Sequence, residues 1–99
     1  MAYSIGIWRR PGSAVYRWES DFGTDSKEEG HVLVDAASKT VRQASPDGHP
    51  IGDLVLGADG QQTGNAASID PDRLWQIAVA ILRKIGPSGE LPETAHRHF

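Results

Sequence analysis

Apolar and polar residues alternate in two short stretches near the amino terminus, residues 2–8 and 14–20. Successive side chains of an extended strand point to opposite faces of a sheet, so a period of two predicts strands with one buried side. The apolar members that we expect to share this buried side are Tyr3, Ile5, Ile7, Tyr16 and Trp18.

The sequence RPGS, residues 10–13, predicts a tight turn between these strands. Proline presets the backbone at the first central position of a β-turn, and glycine accepts the positive φ that a type II turn requires next. If the first residue of the turn faces the last, Ile7 lies opposite Tyr16 and Ile5 lies opposite Trp18. Type II turns match the twist of a hairpin poorly, so a longer loop or a bulge would shift this pairing.

Further strands are predicted where β-branched or alternating residues lie between turn signals, at residues 31–35, 40–44 and 51–56. The sequence SPDG at residues 45–48 predicts a turn before the last of them. Asp21 to Gly30 is polar and net acidic, which predicts a surface loop and a possible contact surface for a basic partner. The glycine-rich residues 57–68 are either a mobile loop or a weak hairpin about Asp59-Gly60.

The sequence of residues 71–85 predicts a helix. Asp70 suits the N-cap, Pro71 suits the first helical position, and Gly86 ends the pattern. An apolar stripe recurs at helical spacing, with Gln76, Ala80 and Arg83 behind it. The stripe consists of Leu74, Ile77, Ala78, Ile81, Leu82 and Ile85.

Strands followed by a single helix predict an α+β domain. Its simplest form is an antiparallel meander sheet of about five strands with one C-terminal α-helix packed on one face. We expect this single domain to span residues 1–87. The remaining residues, 88–99, are expected to form an extended or disordered C-terminal tail because Pro87 and Pro92 interrupt regular structure.

Composition narrows the class of protein. A chain of 99 residues has room for one modest core, and 38% hydrophobic with 23% charged residues is leaner in apolar groups than a typical globular domain but well short of a disordered composition. The formal net charge of -3 disfavours a general nucleic-acid binder. The absence of cysteine excludes disulfides and a thiol nucleophile, and no apolar run is long enough for a bilayer, so the cytoplasm is the expected compartment.

No motif predicts catalysis, a cofactor or a metal. The chain has no nucleophile elbow, phosphate loop or Rossmann glycine pattern. Four histidines invite a metal hypothesis, but structural zinc sites need four ligands at a recognisable spacing. The acidic residues after Gly57 lack the alternation of a calcium loop and suit turns and helix capping instead. The histidines are His31, His49, His96 and His98.

The stretch WRRPGSAVYRW, residues 8–18, gathers Trp8, Arg10 and Arg17 around the first turn. Arginines beside aromatic rings are typical of surfaces on which the bases of a single strand stack. They also suit a hairpin whose rings enter the core while Arg17 stacks on Trp8. We favour the hairpin, since the chain as a whole is acidic.

The leading functional hypothesis is a small non-enzymatic protein that acts through protein-protein contact, such as an inhibitor, an immunity protein or an accessory subunit. Trp75 and Val79 extend the apolar arc of the helix beyond what one sheet covers, which favours a homodimer or a larger partner, although both residues could pack on the long loop and tail. With Trp8, Arg10 and Arg17 they form the candidate interaction surface. The alternative is a ligand-binding or catalytic domain with a pocket under the 57–68 loop.

Overall fold

The computed structural model describes residues 4–21, 27–64, 71–86 and 89–98. They form one antiparallel sheet and one helix, so the predicted α+β class is confirmed. The sheet has seven strands rather than about five, in the order β6-β5-β4-β3-β2-β1-β7. The elements are β1 Ser4–Arg9, β2 Val15–Asp21, β3 Lys27–Asp35, β4 Thr40–Ala44, β5 Pro50–Gly57, β6 Gln62–Thr63, α1 Pro71–Leu82 and β7 Thr94–His98.

The pairing of β1 with β2 differs from the predicted register. Ile7 lies opposite Trp18, and Tyr16 lies opposite Arg9. The predicted turn is present, with the N–H of Ser13 donating to the carbonyl of Arg10 over 3.1 Å. The connection is longer than this turn, however, because the N–H of Arg10 closes the hairpin on the Val15 carbonyl over 2.9 Å. The resulting shift of two residues keeps the described side chains of both strands on their predicted faces, while Tyr3 lies outside the described residues.

The hairpin formed by β2 and β3 includes residues that the sequence predicted to form an acidic surface loop, so that part of the prediction is wrong. Residues 27–30 belong to β3 and pair with residues 18–21 of β2, while residues 22–26 lie outside the described part of the chain. Side chains of neighbouring elements form ion pairs with these first residues of β3. Glu28 forms an ion pair with Arg73 of α1, and Glu29 forms one with Arg17 of β2.

The predicted turn at residues 45–48 is confirmed by a hydrogen bond of 2.9 Å from the N–H of Gly48 to the carbonyl of Ser45. This turn folds towards the sheet surface, where a Cβ on Gly48 would lie 3.1 Å from Val15. Residues 57–63 adopt the hairpin alternative, because the N–H of Gly60 donates to the Gly57 carbonyl over 3.0 Å.

The helix ends at Leu82, three residues before the predicted end. The N–H of Lys84 donates to the carbonyl of Ile81, an i to i−3 bond that tightens the chain into a turn. Ala80, predicted on the outer side, is only 7% exposed. The buried arc is therefore wider than the periodicity indicated. The predicted cap, Asp70, lies outside the described residues.

The core lies between α1 and one face of the sheet, where Ile5 and Ile7 meet the buried side of the helix. Tyr16 is fully buried and donates its hydroxyl to the carbonyl of Pro92, just before β7. Burial raises the pKa of Tyr16 to about 12. The buried members of α1 are Leu74, Ile77, Ala78, Ala80 and Ile81.

Strand β7 lies in the segment for which the sequence predicted an extended or disordered tail. It pairs along β1, with Ala95 opposite Ile7 and only 1% exposed. Ala95 thus adds to the core while its polar neighbours remain at the surface. Among the described residues, no helix has the length and hydropathy to cross a membrane.

Candidate interaction face of the sheet

The sheet face turned away from α1 presents a row of three side chains across neighbouring strands. Trp8 of β1 lies opposite Arg17 of β2, and Arg17 lies opposite His31 of β3. Residues directly opposite each other in an antiparallel pair project from the same face. Trp8 is 43% exposed, the most exposed large hydrophobic side chain of the described residues.

The ring of Trp8 contacts a glycine and an arginine. A Cβ on Gly6 would lie 2.7 Å from Cη2 of Trp8, so the ring covers the place where any other residue would carry a side chain. The guanidinium carbon of Arg17 lies 5.7 Å from the ring centroid. This distance is within the range of a cation-π contact, and the predicted stacking of Arg17 on Trp8 is therefore confirmed.

Arg17 is itself fixed by two carboxylates. Its Nη2 donates to Glu19 on the same strand and, over 3.0 Å, to Glu29 on β3. The hydrogen bond that Arg17 donates to Glu19 is the main reason that the pKa of Arg17 is raised. These ion pairs are solvent-exposed and contribute little to folding, but they fix the direction of the guanidinium.

His31 completes the row on its β3 side. Partial burial, followed by the positive charges of Arg17 and Arg10, lowers the pKa of His31 below its usual range, and Glu29 opposes this shift. The imidazole is therefore neutral at pH 7. A carboxylate brought close to it would favour the protonated form.

Two further arginines border this row, and among the described residues their hydrogen-bond acceptors are backbone carbonyls. Arg10 donates to Pro46, and Arg42 donates from Nη2 to Gly52 over 3.0 Å. Within the described residues neither has a carboxylate at ion-pair distance, and Nε of Arg42 is buried without a hydrogen-bond partner. We refer to Trp8, Arg10, Arg17, His31 and Arg42 as the Trp8 face.

The five residues of the predicted interaction surface divide between two sides of the sheet. Trp8, Arg10 and Arg17 belong to the Trp8 face. Trp75 and Val79 lie on α1, where Trp75 is partly buried and packs against the core. The sequence did not place His31 or Glu29 beside Arg17, because both are brought there by the pairing of β2 with β3. Glu19 lies two residues from Arg17 along β2 and was not singled out.

A separate cavity of about 240 Å³ lies between the β3–β4 and β5–β6 turns. Its position corresponds to the start of the 57–68 loop, below which the alternative hypothesis expected a pocket. The volume lies under the roughly 300 to 1,000 Å³ of ordinary ligand sites. It is lined by Ser38, Lys39, Thr40, Val55, Gly57, Ala58, Asp59, Gln61 and Thr63.

No group of three or more histidine, aspartate or glutamate side chains in the described part of the chain is placed to hold a metal ion. Comparison with protein-family models, with curated proteins and with solved structures gives no match for the chain.

Proposed function

We propose that this protein is a non-enzymatic protein-protein interaction module, of the inhibitor, immunity or accessory-subunit type, and that the Trp8 face contacts the partner. The observation that carries the proposal is the half-exposed indole of Trp8, which contacts Gly6 and Arg17 on the sheet face that α1 does not cover. Burying a large apolar ring that is exposed in the free chain is favourable, because its surface is removed from water.

Residue type and rigidity both favour this surface. Tryptophan and arginine are enriched among the few interface residues that supply most of the binding free energy. Binding normally costs side-chain entropy, but the Trp8 ring and the Arg17 guanidinium are already fixed by Gly6, Glu19 and Glu29. Less side-chain entropy is therefore lost on binding than for mobile side chains, and the net binding free energy is more favourable.

The charges on the Trp8 face favour a partner that carries both carboxylates and an apolar side chain. Arg10 and Arg42 keep donors for which the described residues supply only backbone carbonyls. A single-stranded nucleic acid fits less well. Its phosphates carry a charge at every nucleotide, and the chain is net acidic, so it lacks the long-range attraction on which such binding depends.

The proposal can be tested by affinity capture from the cells that express the protein, followed by titration of the purified partner. We expect Trp8→Ala to raise the dissociation constant by about thirtyfold, the effect of losing roughly 2 kcal/mol at an interface centre. Arg10→Ala should raise the dissociation constant less and should remove part of the salt dependence of binding.

Ile51→Ala is the matched control, since Ile51 is 37% exposed and lies on β5 outside the Trp8 face. It should bind within about twofold of the wild type. Equal affinity of Trp8→Ala and wild type would contradict the proposal. Tight binding of oligonucleotide that is lost in Trp8→Ala would replace the protein partner with a nucleic acid.

One observation supports a second candidate function, the binding of a small polar molecule in the cavity beside Lys39. Lys39 has a φ of 54°, in the left-handed region that residues with side chains rarely adopt, and such strain is concentrated at functional sites. Ligand screening by thermal shift, with Lys39→Gly as the comparison, tests this function. A ligand that stabilises wild type but not Lys39→Gly would favour it.

A further inference from the structure

The helix carries an ordered pattern on the side that faces away from the sheet. Asp72, Val79 and Arg83 follow one line along α1, because steps of seven and four residues return to nearly the same direction. Arg83 remains on this line after Leu82, since its N–H donates to the carbonyl of Val79 over 3.1 Å. We call these three residues the helix outer line.

Charge and hydrophobicity change in order along the helix outer line. Asp72, exposed, lies in the first turn, and Arg83, also exposed, lies about three turns later. Val79 lies between them, flanked by Trp75 and Leu82 on one side of the line. The line thus has an acidic end, an apolar centre and a basic end.

The apolar centre is only partly used by the fold. Trp75 and Leu82 reach down to pack against the core, and both remain partly accessible. Val79 is partly accessible and lies outside the core cluster, on the side of α1 opposite Leu74, Ile77 and Ile81.

We propose that the helix outer line is the contact between two copies of this chain, packed through α1 with the helices antiparallel about a two-fold axis that lies midway between Asp72 and Arg83, close to Val79. In such an arrangement each surface meets its own copy reversed. Asp72 then lies beside Arg83 of the partner subunit at both ends, and Val79 meets the partner's Val79 at the centre. A parallel arrangement would instead place like charges together.

This proposal goes beyond the proposed function and does not depend on it. The helix outer line and the Trp8 face lie on opposite sides of the sheet. A dimer formed through α1 would therefore leave both Trp8 faces open and would present two copies of that surface to partners. A variant of one surface should leave binding at the other unchanged.

Charge reversal in single chains tests the contact, with sedimentation equilibrium as the measurement. Asp72→Lys gives a chain with two basic ends, and Arg83→Glu gives a chain with two acidic ends. We expect each variant alone to dimerise at least about tenfold more weakly than the wild type. An equimolar mixture should recover the dimer as a heterodimer, because both of its contacts pair opposite charges.

Val79→Glu places two carboxylates at the axis and should abolish the dimer, whereas Ile51→Glu makes the same change at an exposed residue of β5 and should not. Circular dichroism verifies that each variant keeps its helix. Trp8→Ala should dimerise like the wild type, which separates this proposal from the proposed function. A wild-type chain that stays monomeric at every concentration, or a mixture that does not form heterodimers, would overturn the proposal.

Discussion

The ring of Trp8 covers Gly6, and its Cη2 atom lies 2.7 Å from the position that a Cβ on Gly6 would occupy. The two residues are on the same face of β1, so the glycine provides the surface on which the ring rests. The position of the ring, and with it the stacking of Arg17, therefore depends on the absence of a side chain at residue 6.

We predict that Gly6→Ala displaces the Trp8 ring without unfolding the protein, because the ring is at the surface and can turn into solvent. The free energy of unfolding should change by less than about 1 kcal/mol. The indole N–H resonance of Trp8 should move towards its position in an unstructured peptide, and partner affinity should fall nearly as far as in Trp8→Ala. An unchanged indole resonance would show that the ring is not held by Gly6.

Gly30 has the corresponding relationship to Trp18 inside the core, where the ring cannot move. A Cβ on Gly30 would lie 2.9 Å from Nε1 of Trp18, which is only 4% exposed. Gly30→Ala should therefore lower the free energy of unfolding by about 1 to 3 kcal/mol through overpacking. Gly86→Ala is the control, because its Cβ would meet Glu90 no closer than 3.9 Å. Equal urea midpoints for the two variants would contradict the packing described for Trp18.

Tyr16 should make stability depend on pH in the alkaline range. Its pKa is about 12 in the folded chain and about 10 when unfolded, so the folded state holds the phenol proton more tightly. The stabilisation is complete below pH 10 and is lost as the pH rises from 10 to 12, by roughly 2 to 3 kcal/mol in total.

Tyr16→Phe tests this assignment by urea denaturation across that range. The variant should lose about 1 kcal/mol at pH 7, because the hydroxyl no longer donates to the Pro92 carbonyl. Above pH 10 its stability should decline less steeply than that of the wild type. Parallel pH curves for the two proteins would show that Tyr16 is not protected from ionisation.

His31 should titrate below the usual histidine range of about 6.5, because burial and the arginines beside it lower its pKa. The stability due to its neutral form is present above this range and is lost as the pH falls through the folded pKa. NMR titration should show the pKa of His31 rising in Arg17→Gln, because a positive charge beside the imidazole is removed. A normal pKa for His31 in the wild type would contradict its position beside Arg17.

Local sequence patterns predicted much of the fold. The alternation around Ile5 and Trp18 placed both residues on the buried side, and the helical stripe around Ile77 identified the face that meets the sheet. These predictions hold because burial selects every second strand residue and every third or fourth helix residue. The shift of two residues between β1 and β2 left this alternation intact.

The elements that the sequence did not predict depend on distant pairing. Strand β7 has little apolar character, since Ala95 is buried between polar neighbours, and it is extended because it pairs with β1. The start of β3, with Glu28 and Glu29, reads as a loop for the same reason. The sequence therefore predicted only part of the cluster around Arg17. The contact with Trp8 was predicted because both residues belong to the first hairpin, whereas His31 is brought there by the register of β3.

The most direct test of the Trp8 face as the partner's contact surface is NMR chemical-shift mapping of the isotope-labelled protein with its captured partner. We expect the largest shifts on β1, β2 and β3 around Trp8, Arg17 and His31, and we expect Trp8→Ala to remove them. Shifts confined to the cavity residues around Lys39 and Asp59, with the Trp8 indole unaffected, would contradict this assignment.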